Sequence, residues 1–141
     1  MVYLDTSVAV PLFVAEPSSE SVDRWFSACA VPVVSSDWII TEFASALSIK
    51  ERAGTLSAKD AKAAWRSFET FCQSGLRLVA VSRKSFETAA RMARDSRHGL
   101  RAGDALHFAV AHEIGATTIA TLDLIMVDNA KRLKMKAVVF S

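Results

Sequence analysis

Leu100 to Asp123, LRAGDALHFAVAHEIGATTIATLD, is the stretch on which the fold turns. Ala105, Leu106, Ala109 and Val110 recur at intervals of three to four residues and draw an apolar stripe along a helix. Asp104 falls in or near its first turn, where free amide groups and the helix dipole favour a negative charge. A turn at Gly115 follows, and the run Thr117–Thr121 (TTIAT) has the β-branched content of a strand. Asp123 lies within two residues of that strand's end, the edge at which open parallel sheets bind ligands. Either acid alone is also what helix starts and turns select for local reasons.

The same grammar runs outward along the chain. Val2–Leu4 is a short apolar strand ending in Asp5, with Thr6 and Ser7 as N-caps of a first helix in which Pro11 is tolerable only near the first turn. Glu16-Pro17-Ser18-Ser19 breaks the pattern and opens a second helix reaching Ala30; Val31–Ser35 reads as a second strand. A third helix, about 37–52, carries Ile39, Phe43, Ala46 and Leu47 on one stripe, with Glu42 beside it among Trp38, Ile39, Ile40 and Phe43. Gly54 ends it, and Ser57 with Asp60 starts a fourth by a capping-box-like pattern. Leu76–Val81 alternates as a third strand. Ser82 opens a helix with Phe86, Ala89, Ala90 and Ala93 facing in and Lys84, Arg91 and Arg94 facing out, Glu87 and Asp95 being available to Arg91. Arg97–Arg101 is a basic loop, and Lys136–Phe140 a last strand after a helix containing Asn129, Lys131 and Arg132. Short strands alternating with helices predict a three-layer α/β/α domain around a mainly parallel sheet of roughly five strands, with the whole of 1–141 as one domain.

Composition sets bounds on function. A chain of 141 residues that is 51% hydrophobic can bury a sizeable core. A net charge of +2 is too small to argue nucleic-acid binding, but its distribution is uneven: from Arg77 to Arg101 there are seven basic residues and only Glu87 and Asp95 as acids. Cys29 and Cys72 stand far apart among apolar neighbours, as buried reduced thiols do. The apolar run Val8–Ala15 lacks a basic lead, contains Pro11 and is too short for a bilayer, so the expectation is a soluble cytoplasmic domain.

Asp5 and Asp123 end strands, and Glu42 and Asp104 sit early on helices. In a parallel sheet these positions share one edge, so the four can converge; four unrelated turn and cap acids is the alternative that spacing leaves open. Converging carboxylates repel unless one is protonated or a cation sits among them. Oxygen ligands favour a hard ion such as Mg²⁺ or Mn²⁺, which can activate water for attack on phosphorus. Other chemistries lack their residues. His107 and His112 are five apart and miss the metalloprotease spacing; no G-x-S-x-G, dinucleotide or Walker loop occurs; and Ser7 stands where an aspartyl phosphatase needs its second acid. His107 is expected to pack on its helix.

YLDTS at the start, TEF in the third helix, LRAGDALHFAVA and ATLD, in this order from Val2 to the final strand, resemble PIN-domain ribonucleases, most closely the VapC-type toxins of bacterial toxin–antitoxin pairs. The resemblance implies an α/β/α nuclease that uses Mg²⁺ or Mn²⁺ to cleave RNA, with Asp5, Glu42, Asp104 and Asp123 as catalytic metal ligands. It implies that Thr6 supports Asp5 and that Thr121 is the small hydroxyl residue two before the last acid. Pro11 departs from the aliphatic residues expected at its place. A homodimer inhibited by a cognate antitoxin is also implied. Arg97, Arg101, Lys50 and Arg52 are candidates to hold the RNA backbone, without support from a motif. A catalytically weak module that mainly docks a partner protein, or a DNA-directed nuclease on the same fold, are the competing readings.

Overall fold

The structure is a computed structural model describing residues 1–141. It has a five-stranded, all-parallel sheet: β1 (Val2–Leu4), β2 (Val33–Ser36), β3 (Arg77–Val79), β4 (Thr118–Ala120) and β5 (Lys136–Ala137). Seven helices join the strands: α1 (Thr6–Phe13), α2 (Ser19–Ala28), α3 (Trp38–Arg52), α4 (Ala58–Ser74), α5 (Arg83–Arg94), α6 (Ala102–Glu113) and α7 (Leu124–Arg132). The expected α/β/α class is the observed one. Strand limits differ: the pairing of β3 stops at Val79 and that of β5 at Ala137, both expected to run longer, and β2 starts at Val33 rather than Val31. Both shortened strands lie at the sheet's edges, where one partner is missing.

The strand order is β3-β2-β1-β4-β5. From β1 the chain winds outward on one side to β3, then returns to lay β4 against the other side of β1. That reversal opens a crevice between the carboxyl ends of β1 and β4, the usual place for a ligand in such sheets. Asp5 leaves β1 there, and Thr121 to Asp123 leave β4.

Period-two alternation divides β1 between two cores. Val2 and Leu4 face α1 to α4 in a cluster with Val8, Val22, Ile39, Phe43, Phe68 and Ala120. Its centre is Phe43 lying flat on Phe68, ring centroids 4.0 Å apart, with Phe13 edge-on to both. Tyr3 points the other way, into a second cluster with Phe108, Val110, Ile119 and Met126. Ala89, Ala105, Leu106 and Ala109 form the seam between α5 and α6.

Local chemistry explains the helix ends. Ser57 and Ser82 accept hydrogen bonds from the amides of Asp60 and Ser85 at 3.1 and 3.0 Å, the caps the sequence signals. Asp5, not Thr6 or Ser7, is the N-cap of α1, and Pro11 is its sixth residue, past the first turn. Pro11 cannot donate an amide proton, and the helix ends two residues later. Gly115, at φ 75°, takes the left-handed turn that sends α6 back towards β4. Two sequence expectations about side chains are corrected: Arg91 bonds Thr88, while Asp95 pairs with Arg97, and the two cysteines are only partly buried. No helix is long and apolar enough to cross a membrane.

Candidate metal centre

Asp5 enters the crevice because the chain passes straight from β1 into α1, and the residue is 5% exposed. Two hydroxyls fix it. Ser7 Oγ donates to Asp5 Oδ2 at 2.6 Å and Thr121 Oγ1 to the same oxygen at 2.9 Å. Both hydroxyls are themselves placed by the loop after β4: the Leu122 amide donates to Ser7 Oγ at 2.9 Å, the Asp123 amide to Thr121 Oγ1 at 3.1 Å. Oδ1 makes no hydrogen bond and lies 3.6 Å from His107 Nε2.

Glu42, in the second turn of α3, reaches the same edge. Thr6 Oγ1 donates to its Oε1 at 2.7 Å, and His107 Nε2 makes a charge-assisted hydrogen bond to the same oxygen. Its other oxygen faces Gly103 and the indole nitrogen of Trp38, a buried polar atom with no hydrogen-bond partner. A Cβ at 103 would come within 2.6 Å of Glu42 Oε2 and 3.0 Å of Trp38 Nε1, so the end of the Glu42 side chain would have to shift. Burial pushes the Glu42 carboxyl up, but the hydrogen bond and charge of His107, with the Thr6 hydroxyl, outweigh it and hold the carboxyl below its usual range.

Asp104, third residue of α6, accepts the Arg101 amide on Oδ2 at 3.4 Å and leaves Oδ1 open. Burial, together with the negative charges of Asp5 and Asp123, raises its carboxyl above the usual range against the Arg101 amide and charge. Asp123 is the N-cap of α7, its Oδ1 accepting from the amides of Ile125 and Met126 at 2.8 and 3.4 Å. Each of the four carboxylates thus ties one oxygen to the protein and leaves the other without a protein hydrogen bond. The negative charges of Asp5 and Asp123 crowd Asp104, a repulsion that a cation among these oxygens would relieve. One group of side chains is compatible with an ion, Asp5, Glu42 and His107, with one atom from each within 4.8 Å of the others; Asp104 and Asp123 are not part of it.

His107 corrects the sequence reading. It is fully buried, but not as apolar packing: besides Glu42 it meets the Tyr3 hydroxyl at Nδ1, 2.8 Å away, and Thr6 Oγ1 at 3.3 Å from Nε2. Burial alone disfavours the imidazolium, yet Tyr3, the Glu42 hydrogen bond and the charges of Asp5 and Glu42 prevail and the pKa is raised to about 10. Thr6 bonds Glu42 rather than Asp5; the hydroxyl beside Asp5 that sequence reasoning missed is Ser7. The available signal for His107 was its place three residues after Asp104, on the same helix face.

Of the four basic candidates, Arg101 is the one whose charge acts on Asp104. Arg97 is exposed and pairs in a fork with Asp95. Lys50 is bound to Glu16, and Arg52 to Ser48 Oγ at 2.5 Å. Both lie eight to ten residues beyond Glu42, roughly 12–15 Å along α3.

A parallel sheet with an acidic crevice at its switch point defines a class of carboxylate-site α/β/α domains. The PIN-domain family model matches residues 2–132, and the chain belongs to that family. Solved structures share the fold at low identity. A Mycobacterium tuberculosis protein described as VapC20, a sarcin–ricin-loop-cleaving toxin, superposes with a TM-score of 0.74 at 20% identity over 92% of this chain and 95% of its own. FitAcB from Neisseria gonorrhoeae gives 0.69 at 20% over 99% and 97%. VapBC2 from Rickettsia felis, solved with a DNA fragment from its promoter, gives 0.67 at 16% over the full length of both chains. No curated protein matches the chain by sequence.

Proposed function

We propose that this PIN domain is an endoribonuclease dependent on Mg²⁺ or Mn²⁺ and acts as the toxin of a toxin–antitoxin pair. The observation that carries the reading is the approach of Asp5 and Glu42, with His107, to within 4.8 Å at the switch-point edge, with Asp104 near enough to feel the charges of Asp5 and Asp123. Asp5, Glu42, Asp104 and Asp123 are the proposed catalytic metal ligands. When bound, the divalent cation supplies charge stabilisation at the scissile phosphodiester and acidifies water.

The chain's own residues do the rest. Ser7 and Thr121 hold Asp5 so that Oδ1, not Oδ2, faces the crevice. Thr6 and His107 do the same for Glu42, turning Oε2 inward. Arg101, exposed beside Asp104, is the cation placed to hold an RNA phosphate; Arg97, Lys50 and Arg52 would have to leave their present partners to join it.

A cognate antitoxin as partner, a homodimer and a cytoplasmic location complete the proposal. Support for the antitoxin comes from neighbours of the same fold solved as VapBC and FitAB assemblies. The test is brief induction of the gene in cells, followed by sequencing of RNA 5′ ends. Growth arrest with new, discrete 5′ ends, absent for Asp5→Asn, is expected. Arrest without new RNA ends points to a partner-docking role, and cleaved DNA to a DNA-directed nuclease; either overturns the reading.

A further inference from the structure

A polar chain, buried at Tyr3, Thr6 and His107 and reaching solvent at Glu42, runs behind the crevice: Tyr3 hydroxyl, His107 ring, Glu42 carboxylate, with Thr6 bridging ring and carboxylate. Its members come from β1, α6, α3 and α1, so it ties the four elements that surround the crevice. Both ring nitrogens of His107 are engaged and its side chain is fully buried. A histidine serving only to fill space between α6 and the sheet needs no such partners, and an apolar residue fills it without the desolvation cost.

We propose that His107 is a positioning residue of the metal centre: clamped by Tyr3 at Nδ1, it uses Nε2 to fix Glu42 Oε1 and so sets Glu42 Oε2 as the oxygen offered to the divalent cation. The inference rests on the metal-dependent reading above and goes beyond it in assigning His107 and Tyr3 roles that the four acids do not have. Two features support it. Gly103 leaves the space into which Oε2 is turned, since any Cβ there would meet it. Thr6, on the same oxygen as His107, leaves Oε1 doubly occupied and Oε2 unbonded. His107 Nε2 lies in the one group of side chains compatible with an ion, so direct ligation by the ring is the competing outcome. With Nε2 committed to a carboxylate and Nδ1 to a phenol, the ring acts behind the ligand, as outer-shell groups do when they orient metal-binding side chains.

The experiment is titration of the metal-free protein with Mn²⁺ alone, followed by calorimetry and by pulsed electron paramagnetic resonance. Wild type, His107→Ala, His107→Gln and Tyr3→Phe are compared, with circular dichroism as the folding control. Expected are saturable Mn²⁺ binding in the wild type without a directly bound nitrogen, affinity weakened about 10- to 100-fold in His107→Ala, and recovery of most of it in His107→Gln, whose amide N–H can still donate to Glu42. Should His107→Ala fail to fold, Tyr3→Phe carries the test, because it keeps the ring and removes only the clamp; a several-fold loss of affinity is expected. A strong nitrogen coupling to Mn²⁺ in the wild type would make His107 a ligand and overturn the proposal. Unchanged affinity in His107→Ala, or in a folded Tyr3→Phe standing in for it, would reduce the ring to packing and overturn it too. A wild type that binds no Mn²⁺ overturns the parent reading, an outcome distinct from a loss confined to the variants.

Discussion

Thr121 donates a 2.9 Å hydrogen bond to Asp5 across the crevice between β4 and β1, joining residues 116 apart in sequence. This contact exists only because the chain returns to pair β4 with β1 after placing β2 and β3 on the other side. Replacing the hydroxyl by a methyl, as in Thr121→Val, removes one of two donors to Asp5 Oδ2 and leaves Ser7. The expected result is an RNA-cleavage rate about tenfold lower with little change in melting temperature. Thr121→Val together with Ser7→Ala frees Asp5 altogether and is expected to lose at least another tenfold, measured as initial rates on one RNA substrate.

Neutralising an acid in a crowded site relieves repulsion, which gives Asp104→Asn an unusual double phenotype. The Asp104 carboxyl lies above its normal range, so its ionised form is disfavoured by folding. Its contribution to stability is present below about pH 3.8, the ordinary value, and is lost as pH rises through the folded value. At pH 7 Asp104→Asn is therefore expected to melt at the same or a higher temperature than the wild type in the absence of metal, while cleavage falls at least 100-fold. A melting temperature several degrees lower would contradict the crowding.

Glu42 and His107 shape the pH dependence of the metal-free protein in opposite directions. The lowered Glu42 carboxyl stabilises the fold above its unfolded value of 4.5, and that stability is lost as pH falls through the lower folded value. The raised His107 stabilises fully below 6.5 and loses its contribution as pH rises from there through about 10. Urea unfolding across pH 4 to 10 should show greatest stability between about 4.5 and 6.5 from this pair, with an alkaline decline that His107→Gln flattens. An alkaline limb unchanged by that substitution would contradict the burial of the imidazolium among acids.

Gly103→Ala separates the site from the fold. Alanine favours a helix over glycine by about 1 kcal/mol, but here its Cβ meets Glu42 Oε2 at 2.6 Å and Trp38 Nε1 at 3.0 Å. The end of the Glu42 side chain is what must move. Melting temperature is expected to change little and Mn²⁺ affinity to fall about tenfold by calorimetry.

How much of this the sequence announces depends on the range of the interaction that decides it. Strand–acid–helix at Asp5, capped helices at Ser57 and Ser82, and a helix–turn–strand from Ala102 to Ala120 are written in local chemistry, and the α/β/α class follows. The four acids are nameable as candidates because Asp5 and Asp123 follow strands while Asp104 and Glu42 lie in the first two turns of their helices. What stayed hidden is set by pairing across the sheet. Thr6 and Ser7 are adjacent hydroxyls, and which serves Asp5 and which Glu42 is fixed only once α3 and the loop after β4 arrive. His107 sits in an apolar run that argues for core; only the meeting of α6 with Tyr3 on β1 and Glu42 on α3 reveals what it binds. The basic residues were the least legible, because Lys50 and Arg97 are occupied by Glu16 and Asp95, acids that no spacing rule assigns to them.

The most direct measurement is cleavage of a labelled RNA by purified protein stripped of metal, then supplied with Mn²⁺ in increasing concentration, for the wild type and for Asp5→Asn. The account predicts no cleavage without metal, saturable restoration by Mn²⁺ in the wild type, and none in Asp5→Asn at any concentration. Cleavage that persists in chelator, or that Mn²⁺ restores equally in Asp5→Asn, would contradict it.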